Sequence, residues 1–116
     1  MPNGQAASQP TSDTVLTSLA AAADAARQAY LAALAANPGA DLGQLYAKEM
    51  AALAAWSDAE KKALTKDPAV AQAQADLDAA TKVIRSELAT IKNISTWLNL
   101  LDSLVKLATT VGKFFA

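Results

Sequence analysis

An all-α protein, an alanine-rich antiparallel bundle of four or five helices with a disordered N-terminal tail, is the architecture to which three features of this sequence point. Alanine, the best helix former, fills 30 of the 116 positions. Apolar residues recur at spacings of three and four through each long segment. Gly and Pro, four of each, fall mostly outside those segments. Aromatic residues make up 5% of the chain against 53% hydrophobic residues overall, so the core depends on close helix approach rather than on large side chains. The length suits one domain, spanning residues 12–116. Alanine at this abundance is also a composition that GC-rich bacterial genomes produce.

Residues 1–11 are uncharged, rich in polar residues and without an apolar period, and are expected to form a disordered tail. The first helix should begin near Ser12 or Asp13, which can accept the free amides of a first turn, and end before Asn37, Pro38 and Gly39. Leu16, Leu19, Ala23, Ala26, Tyr30 and Leu34 form its apolar stripe. Asp24 and Arg27 are its only charges after Asp13, few enough to suit a helix covered on more than one side.

Asp41 can cap the second helix, along which Leu42, Leu45, Tyr46, Met50, Leu53 and Trp56 share one arc. Ser57 to Glu60 then spells a capping box, so this helix should break or bend near Trp56, the source of a fifth helix. Asp67 and Pro68 signal a third helix, running to about Lys92 with Val70, Ala73, Leu77, Ala80, Ile84, Leu88 and Ile91 inward. Ser95 can cap a last helix through about Lys113. No Pro or Gly enforces a break at 93–95, so one continuous helix is the alternative.

With no histidine and no cysteine, the chain lacks catalytic triads, His-based zinc sites and the Glu-x-x-His pairs of di-iron bundles. Asp76 and Asp78 point to different sides of one helix and read as solvated, as does Glu87; Asp78 and Lys82 form an ordinary surface pair. No Gly-rich phosphate loop is present. No enzyme activity and no cofactor are expected. A net charge of −1 disfavours nucleic-acid binding, and the one basic cluster, Lys61, Lys62 and Lys66, is neutralised by Asp58, Glu60 and Asp67. The start of the chain has no basic segment leading into an apolar run, so a secretory signal peptide is not expected, leaving the cytoplasm or a signal-independent route. Tyr30, Tyr46, Trp56 and Trp97 lie on the apolar stripes and read as core residues, Trp97 beside Leu101 and Val105.

The segment from Ile94 to Phe115 carries more apolar surface than a docked helix needs. One strip, with Trp97, Leu98, Leu101 and Val105, should serve the bundle's core. A second, with Leu100, Leu107, Val111 and Phe114, is expected to form a contact surface for a protein partner or another copy of the chain; burial of both strips inside the monomer, with this helix central, is the other reading. A membrane surface engaged by the amphipathic helix 94–115 is the alternative. No apolar run is long enough to span a bilayer.

Ala36, Asn37, Pro38, Gly39, Ala40 and Asp41, followed by Leu45 and Tyr46, resemble the helix–turn–helix of type III secretion needle subunits, which polymerise into filaments. The resemblance is confined to Ala33–Ala54, and no function is carried over from it.

Overall fold

The computed structural model describes residues 9–116 and contains four helices: α1 (Ser12–Ala36), α2 (Gly43–Ala59), α3 (Ala69–Ser86) and α4 (Ile94–Gly112). Most of the expected tail, residues 1–8, lies outside the described residues. Its last part is placed, and is not a free tail. The Gln9 side chain donates to the Thr65 carbonyl at 2.8 Å and accepts from the Asp67 amide at 2.7 Å, while Thr11 caps α1 by accepting from the Thr14 amide at 3.2 Å. The cap therefore stands one residue ahead of Ser12.

Local chemistry sets the remaining boundaries. At the end of α1, Asn37, Pro38, Gly39 and Ala40 close a turn with a 3.2 Å bond from the Ala40 amide to the Asn37 carbonyl. Gly39 at its third position has φ of 80°, the left-handed conformation that glycine tolerates best. Asp41 then accepts from the Gly43 amide at 2.9 Å to open α2. That helix continues through Ser57 to Ala59, so the fifth helix does not form. The Glu60 amide bonds to the Trp56 carbonyl at 3.0 Å, and extending an existing ladder by a turn is easier than nucleating a new one at Ser57.

Asp67 accepts from the Ala69 amide at 2.8 Å and opens α3. This helix stops at Ser86, short of the expected Lys92, in turns that send the Thr90 and Ile91 amides to the Glu87 carbonyl. Asn93, not Ser95, caps α4, accepting from the Ser95 amide at 2.8 Å and the Thr96 amide at 3.3 Å. A capping side chain thus makes the break that no Pro or Gly enforces.

The four helices alternate in direction, and α1 and α4 each touch the other three, whereas α2 and α3 do not touch. Two tie-points give the directions. The Asn37 side chain, at the end of α1, donates to the Lys92 carbonyl just before α4 at 2.8 Å. At the other end, the Ala63 and Ala116 amides each bond to the other's carbonyl at 3.0 and 2.8 Å, and the Thr65 amide bonds to the Phe114 carbonyl at 2.7 Å. Chain neighbours are therefore antiparallel, α2 runs parallel to α4, and the connection 60–68 crosses one end of the bundle. The body is long and flat, 57 × 26 × 17 Å, with α1 and α4 as the central pair.

On α1 the buried face is Val15, Ser18, Leu19, Ala22, Ala23, Ala25, Ala26, Ala29 and Ala33, so Leu19, Ala23 and Ala26 of the expected stripe are buried. It is rotated from the stripe that the large side chains suggested: Leu16 and Tyr30 are half-buried and Leu34 is exposed. The alanines sit where the neighbouring helices come closest, since small side chains shorten the interaxial distance, and the larger residues are displaced to the flank. α3 buries Val70, Leu77 and Ile84 as the spacing predicts. α4 contributes Trp97, Leu101, Leu104, Ala108 and Val111. Trp97 is a core residue, fully buried, with its indole N–H donating to the Ile91 carbonyl at 3.2 Å. Phe115, beyond the end of α4, is held in the core opposite Leu64, its neighbours Phe114 and Ala116 bonding to Thr65 and Ala63.

Candidate contact surface

The four residues expected to form a contact surface on the last helix divide in two. Val111 is 1% exposed and belongs to the core, so it is not part of any free surface. Leu100, Leu107 and Phe114 are half-buried and packed against the core. The apolar surplus of α4 is taken up because this helix is central: it meets α1, α2 and α3, and so needs an apolar arc wider than one neighbour would demand. α4 also ends at Gly112, and Phe114 and Phe115 have left the helix for the pairing with the α2–α3 connection. Lipid contact along 94–115 would require the bundle to open.

The exposed large apolar side chains lie elsewhere. Leu31 and Leu34 on α1 and Tyr46, Met50 and Leu53 on α2 are all exposed, Tyr46 by 50% and Met50 by 41%; Val83 on α3 stands apart from them. On α2, stepping about 100° per residue brings Tyr46, Met50 and Leu53 within an arc of about 60°. Tyr30 meets Tyr46 edge to face, ring centres 5.8 Å apart, which joins the α1 and α2 rows across the seam between the helices. Toward the turn, Tyr30, Leu34, Leu42 and Tyr46 line an open groove of about 340 Å³. These are residues whose spacing marked them as inward, and their exposure has a physical cause. Leu42, Leu45 and Ala52 supply the buried face of α2, so the tyrosine, methionine and second leucine are turned to its flank.

The charges around this seam are few and engaged. From Gln28 to Ala47 the only charged residue is Asp41, whereas most of the chain's charged residues fall between Asp58 and Lys92. Arg27 pairs with Glu49 at 3.3 Å across the seam. Lys48 points the other way, to Asp102 on α4 at 2.9 Å, and Lys106 reaches the same carboxylate at 3.0 Å. These two lysines hold the Asp102 carboxyl below the usual carboxylate range through their hydrogen bonds. α2 and α3 stand on opposite sides of the central pair; α3 exposes Asp76, Asp78, Lys82 and Arg85, whereas the α1–α2 seam exposes Arg27 among its apolar side chains.

Glu49 is a residue that sequence reasoning missed. It is buried, and among the described residues only one of its carboxylate oxygens has a partner. Its position between Leu45 and Leu53 gives no sign of burial, since a glutamate on a helix is ordinarily solvated. Lys61, Lys62 and Lys66 are exposed along the α2–α3 connection, with Lys62 beside Lys113 and Asp58 at the rim of an alanine-floored groove of about 540 Å³. Asp76 and Asp78 are exposed on α3. Among the described residues, no three acidic side chains gather into a metal-sized group, and no helix is long and apolar enough to cross a membrane. Compared with known protein families, curated proteins and solved structures, the chain matches none.

Proposed function

We propose that this protein is not an enzyme and acts through protein–protein contact, with the outer seam of α1 and α2 as the contact face. One observation carries the reading: Leu34, Tyr46, Met50 and Leu53 are exposed along the α1–α2 seam, where Arg27 is paired with Glu49. Exposed apolar surface of this kind usually marks a binding site. The lack of histidine and cysteine supports the non-catalytic part of the reading.

The test is site-specific photo-crosslinking in the native host, with the crosslinker at Leu53 on the apolar flank and, separately, at Asp78 on the charged one. Protein adducts are expected at Leu53 and not at Asp78. Equal labelling at both positions, or recovery of Leu53 adducts only with lipid, would remove the proposal.

A further inference from the structure

We draw no further inference here: the strongest candidate, the exposed apolar row of Tyr46, Met50 and Leu53 beside Arg27 on the α1–α2 seam, belongs to the contact face already described, and nothing in the structure shows what covers it.

Discussion

Arg27 holds one carboxylate oxygen of Glu49 at 3.3 Å and leaves the other, buried beneath the α1–α2 seam, without a partner. The Arg27 side chain is 63% exposed while that of Glu49 is 8% exposed, so the pair joins a solvated charge to a desolvated one. Such a carboxylate costs its full desolvation and is only partly compensated. Glu49→Leu is therefore expected to melt no lower than the native chain. Arg27→Ala, which removes the compensation, should cost about 1 kcal/mol, the discounted value for an arginine largely in water. A clear loss of stability in Glu49→Leu would mean that the second oxygen has a partner, such as an ordered water.

Thr81 presents the neutral version of the same problem, a buried hydroxyl with no hydrogen-bond partner among the described residues. Thr81→Val keeps the shape and removes the unsatisfied group, so it should be neutral or stabilising by up to about 1 kcal/mol. Denaturant unfolding of the two proteins side by side tests this.

Trp97 combines full burial with a hydrogen bond to the Ile91 carbonyl, which pins the α3–α4 connection to the core. Trp97→Ala should cost about 3–5 kcal/mol. Trp97→Phe should cost less, retaining most of the packing while leaving that carbonyl to water. Equal losses in the two variants would place the energy in the hydrogen bond rather than in the ring.

The Asp102 carboxyl is held below its ordinary pKa by Lys48 and Lys106, which links stability to pH. A carboxyl with a depressed folded pKa binds fewer protons folded than unfolded. Its contribution is complete above the unfolded value, about 3.9, and is lost as pH falls through the folded value. At neutral pH the native chain should melt above Asp102→Asn, and the gap should close on acidification below about pH 4. Because the pairs are near the surface, high salt should narrow the gap at pH 7 as well.

The placement of Gln9 changes what truncation should do. A chain beginning at Thr11 loses two side-chain hydrogen bonds to the Thr65–Asp67 backbone. About 0.5–1.5 kcal/mol for each is the ordinary net worth of such bonds. Gln9→Ala should reproduce most of that loss in thermal melts. A truncated chain with an unchanged melting temperature would show that water replaces Gln9 without penalty.

The four-helix architecture was legible because turn-forming residues and alanine content agree: Asp41 and Asp67 each accept an amide just ahead of a helix, although the caps themselves are Leu42 and Pro68. The helix faces were less legible. In α1 the contrast between Leu and Ala pointed to Leu16 and Leu34, but the close approach of three neighbouring helices selects Ala22, Ala29 and Ala33 instead. In α4 the sequence showed the second apolar strip but not its use, since an arc wide enough for a partner is also wide enough for a central helix. Which helices are central depends on the diagonal course of residues 60–68, and no local pattern encodes that course. The exposed row on α2 was visible as a set, Tyr46, Met50 and Leu53, and its direction was not.

Thr65 bonds to Gln9 through its carbonyl and to Phe114 through both its amide and its hydroxyl, so one residue ties together segments from opposite ends of the described chain. These are contacts of long sequence separation, for which loop-closure entropy must be met before any bond forms. They should therefore be absent from the folding transition state, which the α1–α2 and α3–α4 hairpins can reach by local contacts. Weakening the clasp, by Thr65→Ala or Phe115→Ala, would then accelerate unfolding and leave the folding rate almost unchanged. The closure governs how long the native state lasts rather than how quickly it is reached.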